Sequence, residues 1–214
     1  MSIVKLLVSA LVVAAVGCGG GSDGPGPDAA DPMITTYTAL GVEDGTQAKA
    51  AEKLGGEAVL YRIVGERMSP EGVAPTTDPE AYWQIQFVNP TTMMGMFVLS
   101  AGGNLTFEDP VAFEGDVAKL ITGTWRDSAE VLAKLPSAGF TLPTGGPPDN
   151  LILMTMEVIE AEAPDPRAGI TDPFWKVSTI VGSTTQMWQI AFVTSMNKWL
   201  ACDLTAGECQ DLEP

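Results

Sequence analysis

Trp83-Gln-Ile-Gln-Phe-Val88 recurs as Trp188-Gln-Ile-Ala-Phe-Val193, with five of the six positions identical. In an extended chain, side chains two apart share a face. Trp83, Ile85 and Phe87 therefore line one side of the first copy, and Trp188, Ile190 and Phe192 one side of the second, while the amides point the other way. An apolar row backed by a polar row predicts strands of an antiparallel sheet covered on one face. These six side chains are the candidate core of a repeat.

The flanks of each copy repeat in part. Ahead of the first, Asp44–Leu54 is rich in helix formers, with Asp44 as candidate cap and Gly55-Gly56 as the stop. Strands are predicted at Val59–Val64, Trp83–Val88, Met93–Leu99 and Leu105–Phe107, the last after a Gly102-Gly103 turn. In the second half, Asp127 with Glu130 three residues on suggests a capping box. Val131, Leu132 and Leu135 form the apolar stripe of that helix, and Pro136 ends it. Leu151–Ile159 reads as a strand with Ile152, Met154, Met156 and Val158 on one face, followed by an acidic loop at 160–172. Strands at Trp175–Val181, Met187–Thr194 and Lys198–Leu204 complete the chain. A helix ahead of an antiparallel meander, present twice, predicts an α+β fold of two pseudo-repeated units, 35–110 and 111–214. In each, a helix would pack on a small antiparallel sheet.

Three stretches carry a resemblance. Asp127-Ser128-Ala129-Glu130 opens a helix, Trp175-Lys-Val177 gives an alternating aromatic–aliphatic row, and Lys198–Glu208 runs a last strand into an Asp-x-x-x-Gly-Glu turn. Together they resemble the PepSY-like domains of exported bacterial proteins, and Ala48–Leu54, Tyr82–Val88 and Phe97–Thr106 suggest a degenerate second copy. The resemblance spans Asp44–Leu212. It implies a helix on a small sheet, twice, and a non-catalytic binding or inhibitory role in the envelope. It brings no catalytic residue with it.

The N-terminus reads as an address rather than as structure. Lys5 precedes the run Leu6–Val16, which holds Ser9 as its one polar residue. That is the pattern of a secretion signal, here 1–17, and the run is shorter than the ~20 residues that span a bilayer. Ala14-Ala-Val-Gly-Cys18 resembles the lipobox of bacterial lipoproteins, in which a cysteine becomes the first residue of the mature chain and carries the lipid. Ala15 stands where that family usually has Leu, and Ala15 with Gly17 also fits ordinary signal cleavage, so lipidation of Cys18 and plain secretion both remain open. Residues 18–34 are Gly-, Pro-, Asp- and Ala-rich, the composition of a solvated tether. The resemblance implies an anchor in the cell envelope. Gly19 after the cysteine points to the outer membrane, with a periplasmic or secreted protein as the alternative.

Composition narrows the chemistry. The chain of 214 residues carries 27 acidic and 11 basic side chains and no histidine, for a formal charge of −16. Cleavage after residue 17 would remove Lys5 and no acid. Such a charge argues against nucleic acid as a partner. The absence of histidine rules out Ser-His-Asp and Cys-His catalysis, and no metal or cofactor is expected. With Cys18 acylated, Cys202 and Cys209 are left to form a disulfide or remain two thiols in an oxidising compartment. Two acidic clusters, at Glu108, Asp109, Glu114 and Asp116 and at Glu157, Glu160, Glu162 and Asp165, read as solvated loops. Met93, Met94, Met96, Met154 and Met156 read as core fillers rather than an adaptable binding face. The function these features favour is a non-enzymatic envelope lipoprotein that binds a protein or peptide at a sheet edge or groove. The alternative is a carrier or structural lipoprotein that holds an apolar ligand in a half-open sheet.

Overall fold

The computed structural model describes residues 37–144 and 150–214. The export signal, Cys18 and the tether to residue 34 lie outside the described residues. The described residues form ten strands: β1 (Val59–Glu66), β2 (Tyr82–Asn89), β3 (Met94–Ala101), β4 (Asn104–Phe107), β5 (Val111–Ala112), β6 (Asn150–Glu157), β7 (Phe174–Val181), β8 (Thr184–Val193), β9 (Lys198–Asp203) and β10 (Glu208–Leu212). They form one antiparallel sheet in the order β10-β9-β8-β7-β6-β1-β2-β3-β4, with the short β5 also paired to β3. Two α-helices among the described residues accompany it, α1 (Ala39–Lys53) and α2 (Ser128–Lys134).

This architecture overturns the expectation of two pseudo-repeated units, each with its own helix and small sheet. β1 and β6 pair directly, Ile63 opposite Met156 and Gly65 opposite Met154, so one sheet runs through both halves. The physical reason is the edge. Each meander alone would leave its first strand with a row of unpaired N–H and C=O groups, and antiparallel pairing satisfies both rows at once. Nor does each half have a core of its own. Ala39 and Val42 of α1 and Val131 and Leu132 of α2 belong to the same buried cluster as Trp83, Met154 and Trp175.

The repeated hexapeptide marks two strands but not two equivalent places. Trp83 on β2 donates its indole N–H to the Tyr37 carbonyl, just before α1, at 2.8 Å. The indole that plays this part for α2 is Trp175 on β7, which donates to the Arg126 carbonyl at 2.8 Å. Trp83 and Trp175 meet edge to face at the middle of the sheet, centroids 6.2 Å apart. Trp188 lies one strand further out, edge-on to Phe140 at 6.4 Å. All six residues of the repeat are packed: Trp83, Ile85, Phe87, Trp188 and Ile190 are buried, and Phe192 is half-buried against the same cluster.

α1 begins six residues before the Asp44 cap that its composition suggested. Thr38 is the N-cap, its hydroxyl accepting from the Gly41 N–H at 3.3 Å. The next two free N–H groups are taken by residues distant in sequence: Ala39 donates to Ser128 Oγ at 3.1 Å and Leu40 to Asp127 Oδ1 at 3.0 Å. These bonds offset Gly41 and Gly45, each of which disfavours a helix interior by about 1 kcal/mol relative to Ala. Asp127 is also the cap of α2, as its sequence predicts, accepting from the Ser128 N–H at 2.7 Å. The expected capping box does not close, because Glu130 turns to Arg126 at 3.4 Å instead. Ser128 Oγ donates onward to the Gly72 carbonyl at 2.7 Å. A Cβ on Gly72, which has φ +75°, would sit 2.6 Å from the Ala129 nitrogen, so glycine is required there.

The opposite face of the sheet carries a second, smaller cluster of Phe174, Ala191, Val193, Leu200 and Cys202, with Ile170 laid over it. Ile170 comes from the acidic loop after β6. That loop is held down where Arg167 bonds both Asp165 and the Gln189 side chain of β8. Asp172 accepts from the Thr194 hydroxyl at 2.7 Å. Cys202 and Cys209 are joined by a disulfide that clips β9 to the edge strand β10.

Candidate functional site

The inward stripe of α1 is Ala39, Val42, Glu43, Thr46 and Ala50, a helical spacing of small and apolar residues broken by one acid. Glu43 is only 7% exposed. Among the described residues its carboxyl meets neither Lys nor Arg. Its ionisable neighbour is Asp44. Burial first, then the charge and hydrogen-bonding capacity of Asp44, push the Glu43 carboxyl up to about 7. Thr46 is no partner either, since its hydroxyl donates back to the Val42 carbonyl at 2.7 Å.

Glu43 lines a cleft of about 500 Å³ whose other walls include Gln47, Glu57, Leu60, Ile121 and Trp125. Three segments build it: α1, the entry to β1, and the stretch 121–125 that precedes α2. Their spacing is fixed by backbone. Ile121 N–H donates to the Leu60 carbonyl at 2.7 Å, bridging the second and third walls. Gln47 reaches the Ala58 carbonyl at 3.5 Å, spanning the first and second. Trp125 is half-buried and rests on Trp175, centroids 6.1 Å apart. The result is an open hollow with an aromatic wall, an aliphatic floor and two carboxyls, Glu43 and Glu57, with no basic residue in the lining among the described residues. The hollow is open and its exposed lining is mostly polar, so it is the buried, perturbed acid in its wall that marks it as a candidate site.

The residues singled out from sequence lie elsewhere. The acidic clusters do not gather. Asp109 pairs with Lys53 at 3.7 Å, Glu157 with Arg62 at 3.9 Å and Glu160 with Lys119 at 3.6 Å. Asp116 caps a short turn through the Ala118 N–H at 2.9 Å. Asp165, bonded by Arg167, is held down at about 2. Among the described residues no group of three His, Cys, Asp or Glu could hold a metal ion. Met96, Met154 and Met156 are buried in the main cluster, as core fillers, while Met93 sits in the β2–β3 turn at φ +54°. Glu43 itself was legible in principle as an acid on an apolar stripe, but a helix begun at Asp44 leaves it outside.

Comparison with protein-family models, with curated proteins and with solved structures found no match. The PepSY resemblance gains nothing from them.

Proposed function

We propose that this chain is a non-enzymatic envelope lipoprotein, tethered through Cys18, that binds a protein or peptide in the cleft between α1 and β1. The observation that carries the reading is Glu43. Burying an acid without a cationic partner destabilises a fold, and this one lines a hollow open to solvent. A ligand that completes the pair accounts for both facts. Attachment by strand addition fits less well. β4 is four residues long, and β10 carries Glu208 and Asp211 and is tied down where Gln210 donates to the Ala138 carbonyl at 2.7 Å. The carrier alternative needs a methionine-lined cavity, whereas Met96, Met154 and Met156 pack into the filled core.

A carboxyl held near neutrality in a cleft also suits proton transfer. The lining gives such chemistry little to work with: one hydroxyl, Thr122, and no thiol or amine. The binding reading is tested by placing a photo-crosslinking residue at the exposed Gln47 in the living cell. A discrete adduct that disappears with Trp125→Ala is expected. No adduct, or the same adduct from a site on the far side of the sheet, refutes it. Mass spectrometry of the mature N-terminus, with and without Cys18→Ala, tests the tether, and an unmodified Cys18 overturns it.

A further inference from the structure

We infer that the cleft takes an organic cation of side-chain size, the guanidinium or ammonium end of a basic peptide side chain. The inference rests on the cleft being the binding surface and adds the chemistry of what enters it. Three features converge. Glu43 lies in the wall, largely removed from water, so an ion pair made there is screened far less than one at the surface. Trp125 presents an indole in the same hollow, and a cation over an aromatic face is attracted by the ring quadrupole. Glu57 adds a second carboxyl to the lining. Among the described residues no Lys or Arg in the lining competes for these groups, and the chain as a whole is strongly acidic, at −16. Long-range attraction therefore also favours a basic partner.

The groups facing Glu43 set how binding responds to pH. From its own helix comes Asp44, from the entry to β1 comes Glu57, and the stretch 121–125 contributes no titratable side chain. All are acids. A bound cation pairs with the carboxylate form of Glu43, and the proton Glu43 carries below neutrality is released on binding. Affinity should rise with pH through the region near 7 and level off above it.

The test uses the full mature chain in non-ionic micelles, labelled with 5-fluorotryptophan. The Trp125 resonance is assigned with Trp125→Phe among the five tryptophans. The probes are N-acetyl-arginine amide, N-acetyl-lysine amide and the neutral isostere N-acetyl-citrulline amide. At pH 8, one or both cations should shift the Trp125 signal saturably, with citrulline about tenfold weaker or worse. Lowering the pH to 6 should weaken cation binding about tenfold, since most of Glu43 is then protonated. Glu43→Gln should remove both the tighter binding and its pH dependence. The other four tryptophan signals report whether that variant is folded, and Glu57→Gln offers a milder second variant with a smaller loss. The inference is overturned if citrulline binds as well as the cations, if neither cation binds, or if Glu43→Gln binds them unchanged. Crosslinking at Gln47 that persists while both cations fail removes the ligand class and leaves the binding role standing. Loss of both removes both.

Discussion

Replacing Asp127 by Ala should destabilise the protein by more than the loss of one helix cap. Its Oδ1 accepts from the Ser128 N–H of α2 at 2.7 Å and from the Leu40 N–H of α1 at 3.0 Å. One carboxylate therefore serves two helix N-termini, where a negative charge also opposes both helix dipoles. A single cap is worth about 1 kcal/mol, with a range of about 0.5–2. The α2 bond is partly buried and should contribute near the middle of that range, while the Leu40 bond is exposed and should contribute less. With the dipole term, about 2 kcal/mol is expected for Asp127→Ala. Asp127→Asn keeps acceptors in place and loses the charge, so about 0.5–1 kcal/mol is expected for it. Urea unfolding of the chain begun after Cys18 measures both. Amide exchange at Leu40 and Ser128 separates the contributions, because both amides should lose protection in the Ala variant. A change below about 0.5 kcal/mol, or lost protection at Ser128 alone, would refute the shared cap.

Four further outcomes follow from the packing and the charges. An added Cβ at Gly65 would lie 2.3 Å from the Trp83 ring. Gly65→Ala should therefore lower stability by about 1–3 kcal/mol, and most of that loss should vanish when Trp83→Leu is present, as a double-mutant cycle in urea would show. Glu43 holds its proton more tightly folded than unfolded, so its contribution is full below pH 4.5 and is lost as pH rises through about 7. Glu43→Gln should thus match the native protein at pH 4 and exceed it by about 1–2 kcal/mol at pH 8, a figure discounted for the solvent in the cleft; parallel thermal melts check it. Removing the disulfide with Cys202→Ala and Cys209→Ala should destabilise by about 2 kcal/mol. Exchange should quicken in β10 before β7, and uniform loss would contradict an edge-confined clip. Asp165 is held low by Arg167, so the loop over Ile170 should be tight above pH 4 and loosen as pH falls toward 2. Arg167→Ala should give that looser loop at neutral pH, read from exchange at Ile170.

Period-two alternation found most strands within one or two residues, since it reports a local fact, the covering of one face. It placed Trp83–Val88 inside β2 and Trp188–Val193 inside β8. β10, Glu208-Cys-Gln-Asp-Leu212, was missed because an edge strand buries too little to show a pattern. The β1–β6 joint was missed for another reason: pairing between Ile63 and Met156 depends on which edges meet, and no window of sequence contains both. The cleft was hidden by the same kind of distance. Thr38 caps α1 locally, but the acceptors for its next two N–H groups are Ser128 and Asp127, far away in sequence, and a helix begun at Asp44 leaves Glu43 outside.

That joint also bears on how the chain folds. β1 to β4 and β6 to β10 are two runs of neighbouring antiparallel strands, each pairing with the next in sequence. Such local ladders close small loops and form quickly. The union of β1 with β6 closes the longest loop in the sheet, and it can form only after residues near Met156 are available. During synthesis from the N-terminus, the first run emerges with the β6-facing edge of β1 still unpaired. Until the second half arrives, that strand is an open template for other chains. The interval between the two emergences is where misassembly would be concentrated.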